Sequence, residues 1–310
     1  MRVVVVGAGA MGSLTGGLLA QSGIEVILFD ILKERVEPIS RHGLIIEGSW
    51  GRQVVRVQAT TRTDDLNRAD MLIVLVKSYD TRAAVWGVRN CIGSQTLVLT
   101  LQNGLGNVEA ISGIVPVERV FAGVTSHGAM LTAPGTVRHN GGAKTYIGNV
   151  INREKDGAQN IARVLSMAGI ETEVSPDIQG ALWTKLIVNA AINPLTAISG
   201  LYNGELQEHR DILEIMQQIV NEAMGVAAAE KVKLQADDML SYVKSICHAT
   251  ASNKSSMLMD ILNGRRTEID AINGMIVQKA KEHYLSAPVN ETITHLVRVL
   301  ERSNELNRLQ

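Results

Sequence analysis

The string Gly7-Ala8-Gly9-Ala10-Met11-Gly12 has the residue types and spacing to hold a pyrophosphate. Gly7 permits a tight turn, Gly9 lets the backbone approach the phosphates, and Gly12 lets a helix pack close to a strand. A β-branched run (residues 3–6) precedes the string, a helical pattern follows it to Gly23, and a second apolar run (residues 26–29) ends in Asp30. Strand, glycine turn, helix and strand form the setting in which this spacing binds a dinucleotide, its phosphates resting on the amides of the helix start. Asp30 stands about twenty residues past the turn, where a carboxylate binds the ribose 2′-hydroxyl of NAD(H) and repels the 2′-phosphate of NADP(H). No arginine follows at once in Phe29-Asp30-Ile31-Leu32-Lys33, although Lys33 and Arg35 are cations that could reach a 2′-phosphate.

A second set of chemistry-bearing residues lies in IQGALWTKLIVNAAINP, a stretch apolar nearly all round and therefore suited to a buried helix. Lys185, Asn189 and Asn193 recur in it at every fourth position and share one narrow polar stripe. Burying a lysine and two carboxamides without partners is costly, which implies a polar cleft. The same pattern fits a lysine that snorkels to a solvated edge, with Asn193-Pro194 marking a helix break. Further on, Thr267 and Asp270 have the spacing of a helix N-cap and its acidic partner. Glu268 would then sit in the first turn, stabilised by the helix dipole, a structural role. Lys77 follows the run LIVLV, and Gln102-Asn103-Gly104 follows TLVLTL. Both lie beyond strand carboxyl ends, where open α/β sheets bind ligands, and both also read as loop punctuation.

The elements that must position these residues fall into two halves. Strand patterns recur at residues 54–57, 71–76, 97–101 and 120–125, separated by helical or irregular segments, as a doubly wound α/β domain requires. Two short strand-like runs flank Asn140-Gly141-Gly142 and predict a hairpin, an antiparallel addition to a parallel sheet. A helix at residues 154–168 and a strand at 171–174 complete this half. From Asp177 onward helical periodicity takes over. The expected fold is α/β, a Rossmann-like dinucleotide-binding domain (residues 1–176) followed by an all-helical domain (residues 177–310), with a ligand cleft at their junction.

Composition excludes other classes. The 30 basic and 31 acidic residues nearly cancel, so no footprint for nucleic acid or an anionic membrane is present. No apolar run is long enough to span a bilayer. Cys91 and Cys247 lie far apart, and neither they nor the seven histidines have metal-ligand spacing, so no metal is expected. The chain reads as a cytoplasmic soluble enzyme without a signal peptide. A homodimer through an apolar helical face is conceivable, although the methionines near Met257 and Met259 are more typical of a core.

Taken together, GAGAMG, VKSYDT, LQNG, KLIVNAAINPLTAISG, NGEL and SSMLMDILNGRRTEIDAING resemble the ketopantoate reductase (2-dehydropantoate 2-reductase) family, over essentially the whole chain. The resemblance implies NADP(H)-dependent reduction of a small keto acid in coenzyme A biosynthesis. It implies that Lys185 protonates the keto oxygen while hydride reaches the carbonyl carbon, and that Glu268 lies near that lysine and the cofactor. It further implies that Asn103 contacts cofactor and substrate, and that Lys77 lies on the cofactor side. Asn189, Asn193, Asn203 and Ser256 would hold the hydroxyl and carboxylate ends of the substrate. A dehydrogenase for another small keto or hydroxy acid, or a non-catalytic dinucleotide sensor, are the alternatives.

Overall fold

Apolar segments of the first half form a layered α/β unit, and those of the second half form helices, in a computed structural model that describes residues 1–151 and 155–308. The strands are β1 (Arg2–Val6), β2 (Glu25–Phe29), β3 (Leu44–Gly48), β4 (Gly51–Val55), β5 (Gln58–Thr60), β6 (Ala69–Val74), β7 (Ile92–Thr100), β8 (Val120–Thr125), β9 (Ala129–Ala133), β10 (Thr136–His139), β11 (Thr145–Asn149) and β12 (Thr172–Val174). Helices α1 (Ala10–Gln21), α2 (Lys33–His42), α3 (Thr81–Gly87), α4 (Asn107–Ser112) and α5 (Lys155–Met167) connect them. The helical half contains α6 (Ile178–Ser199), α7 (Arg210–Ala229), α8 (Met239–Ala249), α9 (Ser256–Leu262), α10 (Asn273–Glu282) and α11 (Pro288–Arg308).

Eight strands form one sheet in the order β12-β11-β8-β7-β6-β1-β2-β5. Its centre is parallel, with Val4 opposite Ile27 on one side and Leu72 on the other. Val3 and Val5 join the core packed under α1 and α2, whereas Val4 and Val6 join the core under α3 and α4. Both faces are therefore covered, which is why the run is continuously apolar rather than alternating. β11 runs antiparallel to β8, so the sheet does end in antiparallel strands.

The turn expected at Asn140-Gly141-Gly142 does not close a hairpin. β10 pairs with β9 and β3 in a separate four-stranded sheet, while β11 pairs with β8 and β12. The hairpin is β9–β10, turned by Pro134-Gly135 with Gly135 at φ +72°, and Asn140 and Gly141 extend its ladder through Gly128. A glycine-rich signal fixes a bend but not the strand that pairs across it. The strand expected at residues 54–57 is only half formed: Val54 and Val55 end β4, and Arg56 and Val57 link it to β5. Glu154, the expected start of α5, lies outside the described residues.

By its internal contacts the chain divides into Met1–Gln102 with Asn107–Ile178, and Gln179–Gln310 with Asn103–Gly106. The helical unit therefore takes four residues from the first half, which a cut at residue 176 does not include. Leu105 packs on the helical core and donates its N–H to the Ala271 carbonyl at 3.0 Å. α6 runs through Pro194, which decides against the alternative of a helix break at Asn193-Pro194. A proline inside a helix deprives the carbonyl four residues earlier of its donor, at about 3 kcal/mol. That carbonyl belongs to Ala190, and it accepts a hydrogen bond from Asn273 Nδ2 at 3.1 Å. Among the described residues no helix is long and apolar enough to cross a membrane.

Candidate active site

Lys185 lies in the middle of α6, flanked by the fully buried Trp183, Leu186 and Ile187. Burial among these groups lowers its pKa from 10.5 to about 8, against an opposing pull from the negative charge of Glu268. Desolvation disfavours an ammonium and a nearby carboxylate favours it, so the two causes leave an acid poised near neutrality. Glu268 is itself only 7% exposed.

Glu268 does not occupy the first turn of an α-helix. It precedes a short 3-10 turn, Ile269–Ala271, and α10 begins only at Asn273. Thr267 Oγ1 accepts the Ile269 N–H at 3.2 Å, a cap on that short turn. Asp270 is held instead by Arg266 at 3.0 Å and Arg298 at 2.6 Å. The Glu268 carboxylate therefore acts through its charge on Lys185 and not at an α-helix start, and the helix-start reading is corrected.

Other expected residues gather within the helical unit. Ser255 caps α9 by accepting the Leu258 N–H at 3.0 Å, and its Oγ lies 2.6 Å from Thr196 Oγ1 and 3.4 Å from the Asn193 carbonyl. Ser256, the first residue of α9, is thereby held near the Asn193 turn of α6, and it is exposed. Two residues before Ser255, the Asn253 carbonyl accepts the Asn203 N–H at 3.0 Å. The Asn103 turn is seated on Ala271, three residues beyond Glu268; a Cβ at Gly104 would lie 2.4 Å from the Ala271 oxygen. Asn189 stands half-buried on α6 between Lys185 and Asn193. Sequence reasoning missed Ser255, Thr250 and Asn273. A serine before a helix is a capping signal, and a mid-helix proline calls for a substitute donor, so Ser255 and Asn273 had findable traces.

The first unit presents the glycine turn. Gly7 has φ +104°, and a Cβ there would lie 2.8 Å from the Val76 nitrogen. A Cβ on Gly12 would lie 1.7 Å from the Gly7 oxygen, whereas one on Gly9 would meet only the Arg35 guanidinium at 4.0 Å. The Gly9 side of the turn is thus an open cradle. Neither a capping side chain nor an acidic residue occupies the start of α1 at Ala10, Met11 and Gly12, which suits a phosphate there. Asp30, 5% exposed, accepts the Ala8 N–H at 2.8 Å and the Leu32 N–H at 3.0 Å, and pairs with Arg35 at 3.0 Å. Lys77, half-buried, follows β6 at the start of the turn to α3. Gln102 is structural: its Nε2 donates to the Val76 carbonyl at 2.7 Å and to Thr81 Oγ1 at 2.8 Å.

One unit is a doubly wound sheet with an open glycine turn, and the other is helical and carries a partly buried lysine whose charge is supported by Glu268; these are the features of a dinucleotide-dependent oxidoreductase. Residues 3–152 match the pattern described as Ketopantoate reductase PanE/ApbA, and residues 177–301 match its C-terminal counterpart. The chain belongs to the ketopantoate reductase family. It is 38% identical over 304 residues to a 2-dehydropantoate 2-reductase of Halobacterium salinarum, covering 97% of this chain and 99% of that one. A PanE/ApbA family ketopantoate reductase from Ralstonia eutropha JMP134 superposes with a TM-score of 0.91 at 34% identity, covering 98% and 100% of the two chains. A D-mandelate dehydrogenase bound to NADH and anilino(oxo)acetate superposes with a TM-score of 0.94 at 31% identity, with the same coverage.

Proposed function

We propose that this protein reduces 2-dehydropantoate to pantoate, using NAD(P)H, in pantothenate and coenzyme A biosynthesis. The observation that carries the reading is Lys185, an ammonium with a pKa near 8 in a buried setting shared with Glu268. Reduction of a ketone places negative charge on its oxygen, and a positioned ammonium stabilises that charge and then gives up a proton. Glu268 keeps Lys185 protonated despite its burial. Asn103, Asn189, Asn193, Asn203 and Ser256 supply amide and hydroxyl groups for the substrate's polar ends. The reduced nicotinamide, when bound, supplies the hydride.

The residues for that cofactor are Gly7, Ala8, Gly9, Ala10, Met11 and Gly12, with Asp30 at the adenosine ribose and Lys77 on the cofactor side. The buried Asp30 carboxylate favours NADH, and Arg35, paired with it, is the cation nearest to a 2′-phosphate. A reducing, cytoplasmic setting suits Cys91 and Cys247, both buried as free thiols. The test is the initial rate of cofactor oxidation with ketopantoate, run with NADPH and NADH side by side. Efficient turnover supports the reading, and cofactor binding without turnover refutes it. The likeness to a D-mandelate dehydrogenase favours one second reading, reduction of another 2-keto acid such as an aryl one, which a substrate panel decides.

A further inference from the structure

Asn203 is the substrate-side residue whose surroundings define its chemistry most closely. Its backbone is laid against the turn that ends α8: Asn203 N–H donates to the Asn253 carbonyl and Gly204 N–H to the Ala251 carbonyl, at 3.0 and 3.1 Å. A Cβ on Gly204 would lie 2.5 Å from that of Ala251, so the two strands of chain touch with no room between them. The carboxamide is set by one side chain. Asn203 Nδ2 donates to Thr250 Oγ1 at 2.9 Å, and Thr250 Oγ1 donates to the Ile246 carbonyl at 2.7 Å. Having given its single proton to Ile246, the hydroxyl can only accept from Asn203. The NH2 branch of the carboxamide therefore faces Thr250. Its other branch, Oδ1, is buried and has no hydrogen-bond partner among the described residues. Asn203 is 8% exposed, and a buried acceptor left unpaired calls for a donor from a ligand or water.

We infer that Thr250 is a positioning residue for substrate specificity: it orients the Asn203 carboxamide so that the oxygen, not the NH2, is offered to the substrate. An acceptor there selects a 2-keto acid that carries a hydroxyl donor, and discriminates against an aryl or alkyl keto acid of similar size. The inference rests on the proposed function, in which Asn203 meets the substrate, and adds which polar group it reads and what sets that choice.

The experiment compares kcat and KM for ketopantoate and for 3,3-dimethyl-2-oxobutanoate, the same acid without its hydroxyl. The wild-type protein and the variants Thr250→Val and Thr250→Ser are measured, each with a thermal unfolding curve. The wild type is expected to prefer the hydroxylated acid by about a hundredfold or more in kcat/KM, since a site built around a hydroxyl rejects analogues lacking it. Thr250→Val, at a half-buried position, removes the acceptor and frees the carboxamide to turn. Its preference should fall by about tenfold or more, through KM for ketopantoate, with kcat and the deoxy acid little changed. Thr250→Ser should restore the preference. A purely structural role would lower both substrates alike. An unchanged preference in a folded Thr250→Val protein overturns the inference and leaves the proposed function standing; should valine not fold, Thr250→Ala gives the same readout. A wild type that turns over both acids equally well overturns the inference through Asn203 itself. If neither acid is reduced, the functional reading fails, and equal binding of pantoate and 2-hydroxy-3,3-dimethylbutanoate would overturn the inference as well.

Discussion

The glycine turn of the first unit and the Lys185 helix of the second build sites by opposite means. The turn works by subtraction: three positions lack side chains, which leaves backbone amides and a helix start uncovered, an arrangement suited to an anion. The helix works by addition, placing an ammonium and two carboxamides on an otherwise apolar cylinder and setting the ammonium under the charge of Glu268 from a distant segment. A site made by subtraction is intolerant of one extra carbon. A site made by addition keeps its fold when a side chain is lost, and loses chemistry in proportion to that group's role.

The largest effects should come from the turn. In Gly12→Ala the new Cβ would overlap the Gly7 oxygen at 1.7 Å, and backbone cannot yield as a side chain can. Loss of measurable dinucleotide binding is expected, together with a lowered melting temperature. Gly9→Ala meets only Arg35 at 4.0 Å, so its melting temperature should hold while cofactor affinity falls. Calorimetric titration with both cofactors, beside unfolding curves, checks the pair. Equal melting losses in the two variants would contradict the division of roles between the glycines.

On the helix, Lys185→Ala should keep the fold and cofactor binding yet lower kcat by about a hundredfold or more. Stopped-flow or steady-state assays with saturating cofactor measure it, and near-normal turnover would remove Lys185 from the proton step. The pH dependence sharpens the comparison. Lys185 acts in its protonated form, so kcat/KM should fall as pH rises through about 8. Glu268 raises that pKa, and Glu268→Gln should therefore move the break below 8, costing activity at pH 7.5 more than at pH 6. A break that stays in place would show that Glu268 does not govern the lysine.

The contrast also explains what could be read in the chain before any fold was known. Each glycine of the turn answers a local demand, a positive φ or a short contact within one βαβ unit, so the residue types betray the role. The stripe of Lys185, Asn189 and Asn193 was equally plain as a period of four. Its meaning was not, because the deciding charge comes from Glu268, far along the chain, and local spacing assigned that glutamate to a helix start. The chain there turns once as a 3-10 segment and restarts at Asn273, a choice made by Asp270 binding Arg266 and Arg298 and by Asn273 reaching Ala190. Pro194 left a helix break open for the same reason: its penalty is local, but the donor that offsets it is not. The doubly wound sheet was legible from its apolar runs, whereas the choice of partner for β10 and β11 depended on a Pro134-Gly135 turn that was passed over.

The smallest predicted effect joins the two modes of construction in one residue. Asp30 is both part of the turn, through the Ala8 N–H, and a charged side chain, through Arg35. Asp30→Ala would remove both functions, and a loss of activity with either cofactor would say nothing about specificity. Asp30→Asn separates them, since its remaining carbonyl oxygen can still accept from Ala8 while the negative charge disappears. With that charge gone, repulsion of a 2′-phosphate ends and Arg35 is released toward it. The ratio of kcat/KM for NADPH to that for NADH should rise by about tenfold, close to 1.4 kcal/mol, with little change in melting temperature. If the ratio stays put while the protein remains folded, Asp30 serves the turn alone, and the choice between cofactors must be made by groups other than this carboxylate.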